Sequence, residues 1–165
     1  LRPKMLDWVF GCDICQDVCP VNRNTPAGGS PVWGKEAGIG TPAAKLDTLG
    51  LVDLLRLTEE EFQQRFRGTP ILRAKREGLQ RNACVALGNL GDPSAVSTLT
   101  TALYHESPLV RSHAAWALGR IGAGNAQNAL ESRLRKETNK AVLEEIKAAL
   151  YGEALAKSLH YGHLS

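Results

Sequence analysis

Several features of other protein classes are missing from this sequence. No apolar run approaches the roughly 18 residues that a membrane-spanning helix needs. No basic-then-apolar leader of the kind that directs secretion opens the chain. The net charge is only +3, too small to indicate a partner by itself. With 43% hydrophobic and 22% charged residues, the composition is that of an ordinary globular protein, and we expect it in the cytoplasm without membrane contact.

An alternating pattern of β-branched residues, long enough to form a sheet, is also missing. From Pro42 onward the apolar residues recur at helical spacing instead. The chain starts at Leu1, and its one methionine is Met5, so we expect a fragment whose true start lies upstream. The predicted fold class is mainly α.

Three of the four cysteines stand close together near the start of the chain. Cys12, Cys15 and Cys19, followed by Pro20, form a C-x2-C-x3-C-P pattern. Without signs of secretion, such spacing favours metal binding over disulfides. Two thiolates separated by two residues suit one iron–sulfur cubane, and a third cysteine followed by proline is typical of ferredoxin runs. We therefore predict these three cysteines to be iron–sulfur ligands.

A structural zinc site is the alternative for the same cysteines. Such a site pairs one C-x2-C with a second one, or with histidines at matching spacing. The four histidines lie far along the chain, at positions 105, 113, 160 and 163, which favours iron–sulfur over zinc. Three thiolates are fewer than the four ligands of one cubane, so further ligands must come from upstream sequence or another chain.

The second half of the chain contains an internal repeat. Residues 82–91 align with residues 113–122 at a shift of 31, and a weaker third copy follows at a shift of 32. Such repeats predict paired helices stacked into a HEAT-like α-solenoid. Cys84 matches Ala115 in the next copy, so we expect it to be a buried small residue rather than a ligand.

These patterns divide the chain into four parts. We predict a ferredoxin-like cysteine segment over 1–23, a Gly/Pro-rich linker over 24–42, connecting helices over 43–70 and HEAT-like repeats over 71–165. Within the connecting helices, Thr58 and Glu61 predict a capping box, with Phe62 and Phe66 on the buried face of its helix.

Basic residues cluster between positions 65 and 81, where six of them accompany one acid, Glu77. On a helix beginning near Ile71, several would share one side. Charge of one sign on a rigid surface suits phosphate binding, whereas a solvated helix face is the alternative. The predicted nucleic-acid-binding residues are Arg73, Lys75, Arg76 and Arg81.

Residues 8–20, WVFGCDICQDVCP, with Asn22 and Arg23, closely resemble the C-terminal part of the epoxyqueuosine reductase family. Two later stretches, 73–89 and 110–119, resemble the same family in the same order, so the likeness covers nearly the whole chain. One departure is Val21, where the family commonly has tryptophan after the Cys-Pro pair.

This resemblance implies an oxidoreductase that reduces epoxyqueuosine to queuosine at the wobble position of tRNA. It implies that Cys12 and Cys15 ligate one 4Fe–4S cluster with two upstream cysteines, and that Cys19 completes a second cluster. Cobalamin and the catalytic residues would belong to upstream sequence, and the repeats would help to hold tRNA. The expected partners are tRNA and an unidentified electron donor, and we expect a monomer.

Two other functions stay open on the sequence. One is a HEAT-like scaffold that binds RNA or protein and carries a structural zinc module. The other is a different cobalamin–iron–sulfur reductase, such as a relative of the dehalogenases, which would need no basic repeat extension.

Overall fold

The computed structural model describes residues 1–5, 7–10, 20 and 50–152, and its secondary structure over these ranges is helical, without strands. The α-helices are α1 (Leu51–Arg56), α2 (Glu59–Arg65), α3 (Lys75–Leu90), α4 (Val96–Ala102), α5 (Pro108–Ile121), α6 (Gly124–Leu134) and α7 (Lys140–Tyr151). Short 3₁₀ helices cover Arg2–Met5, Pro70–Ala74 and Pro93–Ala95.

The helices pack in two layers. Helices α3, α5 and α7 lie side by side in the first layer, and α1, α4 and α6 cover one side of it. The apolar side chains between the layers are fully buried, among them Leu79, Leu99, Leu118 and Ile146. This arrangement confirms the predicted mainly α fold with stacked helix pairs. Over the described ranges, every helix is too short or too polar to cross a membrane.

Two repeat-equivalent glycines allow the first-layer helices to approach closely. A Cβ atom on Gly88 of α3 would lie 2.9 Å from the Cα of Ala117 on α5. A Cβ atom on Gly119 of α5 would lie 2.9 Å from the Cα of Ala149 on α7. Real Cβ atoms do not approach backbone so closely, so the helix spacing depends on glycine at both positions.

The predicted capping box and the buried aromatic pair before the repeats are confirmed. The Thr58 hydroxyl accepts a hydrogen bond from the Glu61 amide at 3.2 Å, and the Glu61 carboxylate accepts one from the Thr58 amide at 2.8 Å. Phe62 and Phe66 are both buried, with ring centroids 5.3 Å apart. The short helix α2 therefore begins with a capping box and packs against the core through an aromatic pair.

The start of the first repeat helix differs from the prediction. Helix α3 begins at Lys75 rather than near Ile71, because the 3₁₀ helix Pro70–Ala74 precedes it. Lys75 has φ 58° and ψ 161°, a conformation that costs a non-glycine residue roughly 1–3 kcal/mol. Ile71 and Leu79 are buried on either side of this break and hold it in place. Arg73 consequently does not share a helix with Arg76 and Arg81.

Candidate nucleic-acid interface and cysteine segment

The predicted cluster ligands Cys12, Cys15 and Cys19 lie outside the described residues. Their role therefore stays a prediction. Within the described ranges, no group of three or more His, Cys, Asp or Glu side chains is placed to hold a metal ion.

Cys84 lies far from the other three cysteines in the sequence, and its thiol is unreactive. It is fully buried on α3 and makes no disulfide, and burial raises the pKa of its thiol to about 12. Its repeat equivalent, Ala115, is also fully buried. The expectation of a small packed residue is confirmed, and the protonated thiol is unsuited to nucleophilic or ligand chemistry.

Arg73 and Lys75 are the two predicted nucleic-acid-binding residues that are well exposed. Lys75 borders an open cavity of about 510 Å³, whose wall also contains Leu72 and Arg76. The lining also includes residues of the segment before α5 and three carboxylates, namely His105, Ser107, Glu59, Glu77 and Glu106. Arg73 and Lys75 are both exposed at the surface, where each can reach a phosphate.

Arg76 is placed differently, because two carboxylates already surround its guanidinium. Its Nε lies 3.1 Å from Glu59 Oε2 on α2, and Nη2 pairs with the Glu106 carboxylate. Nη1 donates to the backbone carbonyl of Leu57 at 3.5 Å. Only 17% of the side chain is exposed. These contacts favour a role in joining α2, α3 and the loop before α5 over direct contact with phosphate.

Arg81 is half-buried, and its Nε is enclosed without a hydrogen-bond partner. The neighbouring His113 on α5 is half-buried too, and its Nδ1 lies 2.9 Å from the Leu109 carbonyl. Burial lowers the pKa of His113, and the charges of Arg2 and Arg81 act in the same direction. His113 is therefore neutral at physiological pH and adds no charge to this surface.

Arg111 on α5 joins its helix to the segments on either side. Its Nε donates to Glu137 Oε2 at 2.8 Å, and its Nη1 donates to the carbonyls of His105 and Glu106 at 2.8 Å each. Arg133 binds the same Glu137 oxygen at 2.6 Å. Gln80, the repeat equivalent of Arg111, likewise donates to a main-chain carbonyl of the preceding segment, that of Leu55, at 3.0 Å.

Burial by itself would raise the pKa of the Glu137 carboxyl, but the hydrogen bonds reverse this effect. Donors from Arg111, Arg133 and the amides of Thr138 and Asn139 lower its pKa to about 2. Glu137 is thus a buried, charged and fully bonded group that ties α5, α6 and the start of α7 together. Nothing in the local sequence around Glu137 distinguishes it from a surface glutamate.

Asn82 and Asn89 both bind the beginning of the chain. Asn82 Nδ2 donates to the Val9 carbonyl at 2.7 Å, and Asn89 Nδ2 donates to the Arg2 carbonyl at 2.9 Å. Sequence reasoning missed this role because the partners are 73 and 87 residues away along the chain.

Comparison with protein-family models matches residues 69–150 to HEAT repeats. This match covers the 3₁₀ helix before α3 and all of the repeat helices through α7. It agrees with the two-layer packing and confirms the predicted solenoid.

Two curated relatives are named epoxyqueuosine reductase. The Bacillus subtilis protein is 31% identical over 150 residues, which are 90% of this chain and 37% of the relative. The Pseudomonas aeruginosa protein is 41% identical over 127 residues, covering 74% of this chain and 32% of the relative. The chain therefore spans about a third of the length of these relatives.

Among solved structures, an epoxyqueuosine reductase with an epoxyqueuosine-modified tRNA stem loop is similar, with a TM-score of 0.79 and 30% identity. The match covers 93% of this chain and 39% of that one. The predicted resemblance to epoxyqueuosine reductase is confirmed for most of this chain, and it concerns one region of those larger proteins.

Proposed function

We propose that this chain is the cluster-binding and tRNA-holding part of an epoxyqueuosine reductase, which reduces epoxyqueuosine to queuosine in tRNA. The observation that supports this proposal is the similarity to enzymes of that name over about nine-tenths of this chain. The catalytic residues and the cobalamin site would lie in the part of the protein that this chain does not include.

In this function, Cys12 and Cys15 ligate one 4Fe–4S cluster, and Cys19 completes a second one. Such clusters transfer single electrons, and bound cobalamin supplies the reduced metal for the epoxide chemistry. The contribution of this chain is to supply three thiolates, in sequence shortly after Arg2 and Val9, whose carbonyls bind the first repeat helix. An electron donor, still unidentified, would reduce the clusters, and we expect the protein to act as a cytoplasmic monomer.

For tRNA we assign direct phosphate contact to Arg73 and Lys75, and to Arg81 a weaker contribution limited by its burial. The supporting observations are the exposure of both side chains and their positions, with Arg73 in the 3₁₀ helix before α3 and Lys75 at the first position of α3. Arg76 has an indirect role: its ion pairs with Glu59 and Glu106 hold the start of α3 against neighbouring segments.

A filter-binding experiment with the intact protein and epoxyqueuosine-containing tRNA tests this assignment. Each cation that neutralises one phosphate adds about one to the slope of log affinity against log salt. We expect Arg73→Ala and Lys75→Ala each to weaken binding and to reduce that slope by about one. Arg120→Ala is the matched control, because Arg120 is an exposed arginine at the other end of a first-layer helix.

Unchanged slopes in both the Arg73 and the Lys75 variants would contradict direct phosphate contact. For Arg76→Ala, we expect a lower unfolding temperature as the main effect, because Glu59 and Glu106 lose their shared partner.

A scaffold with a structural zinc module is the competing function, because thiolates at C-x2-C spacing can also ligate zinc. Conversion of epoxyqueuosine to queuosine in tRNA by the intact protein with a chemical reductant separates the two. The reductase produces queuosine, whereas the scaffold binds RNA or protein and leaves the epoxide unchanged.

A further inference from the structure

The first residues of the chain lie across three successive helices of the first layer. The Arg2 carbonyl accepts a hydrogen bond from Asn89 on α3 at 2.9 Å. The Arg2 guanidinium lies 5.4 Å from the centre of the Trp116 ring on α5. Its Nη1 and Nη2 then contact the two oxygens of Glu145 on α7, at 2.6 and 2.9 Å. One residue thereby touches all three repeats.

A second attachment lies at the other end of this segment. Asn82 Nδ2 donates to the Val9 carbonyl at 2.7 Å, and Val9 also packs against the apolar core. Asn82 and Asn89 are seven residues apart, which is close to two helical turns, so both amides lie on one face of α3. They bind the segment by its backbone, near its beginning and near its end.

These contacts differ from those of an ordinary surface ion pair. The Arg2 and Glu145 side chains are 27% and 22% exposed, and the pair is bidentate. Bidentate arginine–carboxylate pairs combine charge with fixed geometry, whereas exposed pairs contribute little. The Trp116 ring covers one side of the guanidinium and reduces its contact with water.

We propose that residues 2–9 form a clasp, fixed by Arg2 and Asn82, which ties the start of the cysteine segment to three successive repeats. Cys12 follows Val9 by three residues, so its distance from the fixed Val9 is at most about 11 Å. Val9, the described residue nearest to Cys12 with a hydrogen bond to α3, is held there by Asn82. Only the consequence for the clusters rests on the proposed function.

The clasp also changes which surface of the repeats is available. Solenoid proteins commonly bind partners along an extended face of one helix layer. Here the face that contains Asn82, Asn89, Trp116 and Glu145 is occupied by the chain itself. Arg73 and Lys75 are not part of these contacts, so the proposed phosphate-binding residues stay exposed beside the clasp.

Trypsin tests the clasp in the intact protein, because Lys4 is exposed and lies in the middle of residues 2–9. When cleavage is slow relative to reclosing, its rate is proportional to the equilibrium population of the open segment. We expect Glu145→Gln to raise the cleavage rate after Lys4 by about tenfold, as for the loss of a hydrogen-bonded charge pair. Glu144→Gln, at the exposed neighbouring position, should leave the rate unchanged.

Reversing the charges of the Arg2–Glu145 pair tests the clasp with more than one variant. Arg2→Glu and Glu145→Arg should each open the segment, and the double variant should restore much of the protection. Equal cleavage rates in the wild type, Glu145→Gln and both single reversals would overturn the clasp.

Hydrogen exchange measured by mass spectrometry separates a clasp from general stabilisation. In Asn82→Asp we expect faster exchange in peptides that cover residues 1–19, with unchanged exchange in α4 and α6. Asn125→Asp, an exposed asparagine on α6, is the control. Uniformly faster exchange in all helices would overturn the proposal. The iron content of the same variants judges the proposed function separately, since cleavage and exchange do not depend on a cluster.

Discussion

At the scale of single residues, charge in this chain is placed in two distinct ways. Arg73 and Lys75 are exposed, whereas Arg76, Arg111 and Glu137 are enclosed by partners from other helices. The enclosed groups hold neighbouring repeats together, and the exposed ones stay available to a ligand. A basic stretch in the sequence therefore contains both supporting and contacting residues.

Glu137 should make the stability of the repeats sensitive to acid. Because hydrogen bonds lower its pKa from the ordinary 4.5 to about 2, its contribution is complete above pH 4.5 and is lost as pH falls towards 2. In Glu137→Gln this part of the acid dependence should disappear, as measured by thermal unfolding at several pH values. At neutral pH the same variant should lose roughly 3–5 kcal/mol, because Arg111 and Arg133 keep their charges without a partner.

Glu131→Gln is the control for this prediction, because Glu131 lies exposed on α6. Its effect should stay within about 0.5 kcal/mol. Equal acid dependence in the Glu137 variant and the wild type would show that this carboxylate does not carry the effect.

At the scale of helices, the same substitution should have opposite effects at two positions of α3. Gly88→Ala places a methyl group 2.9 Å from the Ala117 backbone, so the helices must separate, at a cost of roughly 1–3 kcal/mol. At Gly78 the nearest atom is the Ala74 methyl at 3.9 Å, so alanine fits and should stabilise the helix by roughly 0.5–1 kcal/mol. Thermal unfolding of the two variants measures this difference, and equal shifts would contradict the close packing of α3 against α5.

The helices also show which features the sequence predicts reliably. The repeat period, the Thr58 capping box and the burial of Cys84 depend on neighbours within a few residues or on the adjacent repeat copy. The start of α3 was mispredicted because the helical spacing of apolar residues continues through the 3₁₀ turn at Pro70–Ala74. The partners of Arg76 come from positions 17 and 30 residues away, and local patterns carry no information on them.

At the scale of the whole molecule, the Arg2–Glu145 pair joins the first and last described helical elements across 143 residues. Val9 packs against the same apolar core as the repeat helices. The proposed clasp therefore connects the beginning of the predicted cysteine segment to the repeats for which we propose tRNA binding.

Metal analysis of the intact, anaerobically purified protein tests the central claim most directly. Two 4Fe–4S clusters predict about eight irons and about eight sulfides per chain. Replacement of Cys12, Cys15 or Cys19 by serine should lower both numbers, whereas Cys84→Ala should not change them, because that thiol is fully buried in the helical core. One zinc per chain without iron, or an iron content unaffected by these three cysteines, would contradict the account.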